Sequence, residues 1–125
     1  MNNIKKTFAR CKAEGRPALV TYVTAGYRTK DETPEVMLGM EAGGADVIEL
    51  GMPFTDPIAD GPTIQKSNLV ALNNGINLPD ILDMVRTARR RGLQCPVLLM
   101  GYYNPVLAYG EEQLFKEAKD AGIGG

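Results

Sequence analysis

The sequence predicts an α/β protein of parallel strands under covering helices, specifically the first three strand–helix units of a parallel (β/α)8 TIM-type barrel. Three observations carry that prediction. Short apolar or β-branched runs alternate with helical patterns along the whole chain of 125 residues, as they do where a parallel sheet is covered on its faces. Glycine or proline closes each unit, and the units recur at roughly forty residues with no sequence repeat beneath them. The second strand run ends in an acid, Glu49, and a Gly/Pro-rich loop with Asp56 and Asp60 follows it. In parallel α/β folds, active sites are built at that end of the strands.

The elements follow in order. Ile4, Phe8 and Cys11 recur at helical spacing after Asn2 and Asn3, predicting a short opening helix that Gly15 and Pro17 stop. Ala18 to Gly26 (ALVTYVTAG) is β-branched and aromatic and closes on glycine, which predicts a strand. The next helix starts either at Thr29 with Glu32 or at Thr33 with Pro34 as first helical residue. Val36, Met37 and Met40 form its expected buried stripe, and Gly43-Gly44 ends it. A second strand spans Asp46 to Leu50. After the Pro-rich loop, Thr63 to Asn74 reads as a helix with Gly75 at its C-cap. Asn77 caps a further helix in which Ile81, Leu82 and Val85 face inward and which Gly92 terminates. Pro96 to Met100 is the third strand, and GYYNPVLAYG a loop with one helical turn. Glu111 to Ala121 is a last helix ending at Gly122, which leaves Ile123-Gly124-Gly125 as a stub.

A closed (β/α)8 barrel takes about 250 residues. Residues 1–125 are therefore expected to form one incomplete unit, the N-terminal half of a larger barrel. Three parallel strands alone would leave two open edges and an apolar inner face.

Composition narrows the function classes. Lys and Arg number 14 against 15 Asp and Glu, a net charge of -1, with 44% hydrophobic residues. That balance supports neither a nucleic-acid partner nor an acidic membrane surface. The one basic cluster, Arg86 with Arg89-Arg90-Arg91, precedes Gly92, where cations suit the end of a helix. Cys11 and Cys95 are far apart, without CxxC or metal-ligand spacing, and are expected as reduced thiols of a cytoplasmic protein. The N-terminus has charges every few residues and lacks the apolar core of a signal peptide, and no stretch approaches a membrane span. There is no histidine. Proton chemistry falls to carboxylates and tyrosines, and no metal site is expected.

Along a strand, side chains alternate, so Val47 and Glu49 share one face and Ile48 and Leu50 the other. An inward-facing Glu49 would lie in a partly dry pocket under the loops, suited to donate as well as accept a proton. Asp56 precedes Pro57, and Asp60 precedes Gly61-Pro62, both common turn pairs. Yet three carboxylates fall within twelve residues on a long loop over a strand end, and such loops usually serve as lids or binding loops. Tyr22 ends the first strand, and Met100, Tyr102 and Tyr103 end the third. Together they can wall a flat apolar ligand or serve as ordinary core. No GxGxxG, GxxxxGK[ST] or GxSxG occurs, so nucleotide binding and serine hydrolysis have no support.

ELGMPFTDPIADGPTIQ at 49–65 closely resembles the signature segment of the α component of tryptophan synthase. VTYVTAGY at 20–27, EAGGADVIELG at 41–51 and LLMGYYNPVLAYG at 98–110 add to the resemblance, which covers nearly the whole chain. It implies cleavage of indole-3-glycerol phosphate to indole and glyceraldehyde 3-phosphate, a retro-aldol lyase reaction of tryptophan biosynthesis. By resemblance, Glu49 is the acid–base that protonates indole C3 and helps deprotonate the glycerol hydroxyl, and Asp60 the carboxylate that accepts from the indole nitrogen. Tyr22, Met100 and Tyr102 fall in the wall of the indole pocket. The family more often has Phe at the first of these and Leu at the second, so the Tyr22 hydroxyl needs a partner or water. The loop with Pro53 and Asp56 matches the face that docks the β component, separate or fused. The family's phosphate-gripping residues lie on later strands. No cofactor is implied for this segment, and pyridoxal phosphate is implied only for the β component. Two alternatives remain open at this point: another phosphate-binding barrel, such as an aldolase or epimerase, and a non-catalytic piece that only contacts a partner.

Overall fold

The structure is a computed structural model that describes residues 4–125. In chain order it contains α1 (Ile4–Ala13), β1 (Val20–Thr24), α2 (Thr33–Ala42), β2 (Val47–Gly51) and α3 (Pro62–Asn73). There follow α4 (Leu78–Arg90), β3 (Val97–Met100), α5 (Tyr103–Tyr109) and α6 (Glu111–Ala121). The expected helix start at Asn2 and Asn3 lies outside the described residues.

The strands form one parallel sheet in the order β1-β2-β3. Tyr22 is level with Glu49 and Thr24 with Gly51, while Glu49 is level with Leu98 and Gly51 with Met100. Level residues point to the same side of a parallel sheet, and successive ones alternate. One face, with Val23, Ile48, Leu50, Val97 and Leu99, packs into the core against helix residues such as Met37, Leu82, Val85 and Leu114. The opposite face carries Tyr22, Thr24, Glu49, Gly51 and Met100. Beyond α6, Gly124 N–H donates to the Val97 carbonyl and Leu99 N–H to the Gly125 carbonyl, both at 2.8 Å. These two bonds lay Gly124 and Gly125 against the free edge of β3 without extending the ladder.

A buried carboxylate fixes where β1 and β2 begin. Asp46 is 4% exposed. Arg16 holds both of its oxygens, at 2.8 and 2.9 Å, and Arg10 adds a bond of 3.1 Å from α1. The Leu19 N–H donates to the same group at 2.8 Å, and Asp46 N–H returns a bond to the Leu19 carbonyl. Arg16 foremost, then the Leu19 amide, hold the Asp46 carboxyl well below the usual carboxylate range.

Of the basic cluster, Arg89 serves helix ends as its position predicts, while Arg86 pairs with Asp83 and Arg91 with Glu35 of α2. Arg89 donates to the carbonyl oxygens of Gly122 (3.2 and 2.8 Å), Leu93 (2.9 Å) and Cys95 (2.8 Å), satisfying acceptors past the ends of α4 and α6. Gly122 has φ +90, and a Cβ there would lie 3.0 Å from Arg89 Nε. Glu41 of α2 plays the matching role for donors, accepting from the N–H groups of Gln94 (2.9 Å) and Cys95 (2.5 Å). Burial, then Glu41, pushes the Cys95 thiol up to about 12.

Several expectations need correction. The first strand is Val20–Thr24, shorter than Ala18 to Gly26, so Tyr22 lies in mid-strand. In α2, Pro34 does sit in the first turn, and Thr33 turns inward to accept from the Gly26 N–H at 2.8 Å. That orientation puts Met37 and Leu38 against the core and leaves Val36 exposed. The stretch after β3 is a full seven-residue helix, α5. Pro105 is its third residue, where the missing N–H has no intrahelical acceptor to lose. Tyr103 opens this helix, is exposed, and donates to Glu111; it does not join the sheet face.

Asp46→Ala removes the common acceptor of Arg16, Arg10 and the Leu19 N–H. Urea denaturation at pH 7 is expected to show a loss of about 2–4 kcal/mol. Because the folded carboxyl is depressed, its contribution is present above the unfolded aspartate value of about 3.9 and is lost as pH falls below it. The difference between wild type and variant therefore narrows on acidification below about pH 4.

Candidate active site

Glu49 stands half-buried on the sheet face away from the core helices, between Tyr22 of β1 and Leu98 of β3. Val47 and Glu49 are inward together, as the alternation predicts. Two residues on, Gly51 ends β2. A Cβ at this position would fall 2.1 Å from the Tyr22 hydroxyl and 2.6 Å from its Cζ. Glycine is required here because the Tyr22 ring already fills that space, which carries its hydroxyl one rung past Glu49.

The Tyr22 hydroxyl finds a protein partner. It bonds Thr24 Oγ1 at 3.0 Å, which bonds Ser67 Oγ of α3 at 2.7 Å. Nothing in the sequence pattern singles out Ser67, a mid-helix serine whose partner lies 43 positions away. A groove of about 450 Å³ opens beside this row, bordered by Tyr22, Thr24, Thr63, Ile64 and Ser67.

Residues 52–61 form the loop that carries Asp56 and Asp60. Tyr102 latches it to the end of β3. Its hydroxyl accepts from the Ala59 N–H at 2.9 Å, and its ring lies 5.1 Å from that of Phe54 at 31°. From α3, Gln65 donates to the Asp60 carbonyl at 2.8 Å. Asp60 N–H closes a turn on the Pro57 carbonyl at 3.1 Å. So held, Asp60 is half-buried and acts on the same phenol as Glu49. Burial foremost raises the Tyr22 pKa, and Asp60 and then Glu49 raise it further. Tyr22 and Glu49 thus stand side by side on β1 and β2, with Asp60 on the following loop within electrostatic reach of the Tyr22 phenol.

The other expected residues separate into two groups. Met100 is half-buried and level with Gly51 on the Glu49 face. Pro53 is half-buried on the loop, while Asp56 is exposed and accepts from the Thr55 hydroxyl at 2.9 Å. An apolar groove of about 530 Å³ runs along the far side of Tyr102, between Leu99, Val106, Leu114 and Phe115. It holds no carboxylate and lies on the helix side of the sheet, so it is not the place where proton transfer is assembled. Among the described residues, no group of three Cys, Asp or Glu side chains is gathered as a metal would require. No helix among the described residues is long and apolar enough to cross a membrane.

Residues 8–125 match the family model described as tryptophan synthase alpha chain. The chain belongs to that family. This tryptophan synthase alpha-family chain is 57% identical over 122 residues to tryptophan synthase of Saccharomyces cerevisiae, covering 98% of this chain and 17% of the yeast protein. It is 54% identical over 123 residues to the tryptophan synthase alpha chain of Albidiferax ferrireducens, covering 98% of this chain and 45% of that one. In structure it is similar to tryptophan synthase subunit alpha from Legionella pneumophila, with a TM-score of 0.95 and 42% identity. That match covers 98% of this chain and 47% of the Legionella chain. The chain thus spans about half the length of the alpha chains it matches, or less. Its parallel strand–helix units have the arrangement of the corresponding part of a TIM-barrel alpha subunit, the fold class expected from the sequence. Membership of this family, one of lyases in tryptophan biosynthesis, leaves no basis for reading the chain as an unrelated aldolase or epimerase.

Tyr102→Phe keeps the ring beside Phe54 but deprives the Ala59 N–H of its acceptor. Hydrogen exchange at the Ala59 amide is expected to quicken by roughly two- to tenfold, with little change in the β2 amides.

Proposed function

We propose that the protein carrying this chain cleaves indole-3-glycerol phosphate to indole and glyceraldehyde 3-phosphate, with Glu49 as acid–base and Asp60 as partner of the ring nitrogen. What supports this reading is the placement of Glu49 beside Tyr22 near the C-terminal end of β2, with Asp60 on the loop that follows, anchored by Tyr102 and Gln65.

The chemistry requires two groups at different positions. Glu49 gives a proton to indole C3, which places positive charge on the ring nitrogen. Asp60 accepts the N–H there and offsets that charge. The carboxylate left on Glu49 then takes the proton of the glycerol hydroxyl next to the breaking bond. The C–C electrons return to the ring, an aldehyde forms, and indole is released. Tyr22, Met100 and Tyr102 are the proposed walls for the ring, with Tyr102 also holding the loop that bears Asp60. Pro53 and Asp56 are the proposed docking face for a β component, which supplies pyridoxal phosphate for its own reaction. The small share of the yeast protein covered, 17%, supports a fused arrangement as readily as a separate one. A cytoplasmic setting belongs to the same reading.

In the full-length protein, Glu49→Gln is expected to lower the rate of indole formation by about 10²–10⁴-fold with an unchanged far-UV circular dichroism spectrum. Near-wild-type turnover in that variant would remove Glu49 from its assigned role.

A further inference from the structure

Three hydroxyl groups run in series from the candidate site into α3. Tyr22 Oη meets Thr24 Oγ1 at 3.0 Å, Thr24 Oγ1 meets Ser67 Oγ at 2.7 Å, and Ser67 Oγ donates to the Ile64 carbonyl at 2.9 Å. The far end sets the direction of the whole row. A carbonyl oxygen only accepts, so the single hydroxyl hydrogen of Ser67 is committed to Ile64. Ser67 must then accept from Thr24, and Thr24, its own hydrogen committed, must accept from Tyr22. Three hydrogens make three bonds, and no other assignment satisfies all of them. Thr24 is 3% exposed, so water does not compete for its hydroxyl.

The phenol of Tyr22 therefore gives its only hydrogen to the wall. What it leaves for a neighbour is an oxygen lone pair. That oxygen occupies the space over Gly51, where a Cβ would lie 2.1 Å away, on the same sheet face as Glu49 and one rung beyond it. The Asp60 carboxylate, on the loop that follows β2, lies within electrostatic reach of it.

The geometry points to Tyr22 as a specificity-determining residue, a hydroxyl locked as a one-way hydrogen-bond acceptor that favours flat ligands bringing an N–H and disfavours those bringing only lone pairs. This rests on the proposed indole site and goes beyond it by assigning the hydroxyl, rather than the ring, a task. A ligand edge carrying a bare ring oxygen meets lone pairs on both Tyr22 and Asp60, with no hydrogen available from either. Ser67 is the positioning residue that holds this polarity from a distance. Without Ser67, the Thr24 hydroxyl is free to turn and donate to Tyr22, and Tyr22 regains a hydrogen to offer.

The test compares indole with benzofuran, flat isosteres that differ in a ring N–H against a ring oxygen. Calorimetric binding to the full-length protein would be measured for wild type, Tyr22→Phe and Ser67→Ala. The wild type is expected to prefer indole, and the indole-to-benzofuran affinity ratio to fall roughly three- to tenfold in both variants. Ser67→Ala keeps the Tyr22 ring and hydroxyl, so a change in packing alone would shift both ligands together and leave the ratio in place. An unchanged ratio in the two variants, with indole still binding, overturns the role of Tyr22 while sparing the indole site. Failure of the wild type to bind indole overturns the site and this inference with it.

Discussion

The carboxylate of Asp46 is the constraint from which the site geometry follows. It lies at the entrance to β2 and collects α1 through Arg10, the α1–β1 connection through Arg16 and the start of β1 through Leu19. These bonds fix how far β1 is shifted against β2. A slip of one residue would turn every side chain of a strand to the other face, sending Tyr22 into the helix layer and away from Glu49. A charge this buried is tolerable only when donors surround it, and here four donor groups do.

A second tier of bonds positions the loop above the sheet. β2 delivers Glu49 on a rigid strand, but Asp60 comes from irregular backbone, which needs external anchors to hold a position. Tyr102 supplies one from the end of β3 and Gln65 another from α3. The loop is thereby tied to the elements on either side of it, and its acid follows their positions. Gly51 contributes by absence, since only a residue without a side chain lets the Tyr22 ring lie across the end of β2.

What was legible in the sequence was mostly local. Asn77 with Asp80 forms a capping box at the start of α4, and Gly92 and Gly122 take positive φ after helices; each depends on residues within one turn. Glu49 stood out because an acid at the end of an apolar strand contradicts its surroundings, and Asp60 because it lies on the long loop that follows that strand. The helix at 103–109 was misjudged because Asn104-Pro105 has the composition of a turn, and only its place in a first turn makes proline harmless. Asp46 and Ser67 gave no local sign. Their partners are 30 and 43 positions away, and no spacing rule reaches that far. Glu41 escaped notice for the same reason, with its acceptor oxygen spent on amides 53 and 54 positions on.

The burial of Cys95 reaches into how this protein can be handled. A thiol displaced to about 12 is almost wholly protonated in neutral or mildly alkaline solution, and thiolate is the form that attacks maleimides, disulfides and peroxide. Cys11, the other cysteine, is also free and buried. A cysteine introduced on an exposed position of this segment would therefore react with a fluorophore or spin label in preference to either native thiol, leaving the natural sequence intact around it.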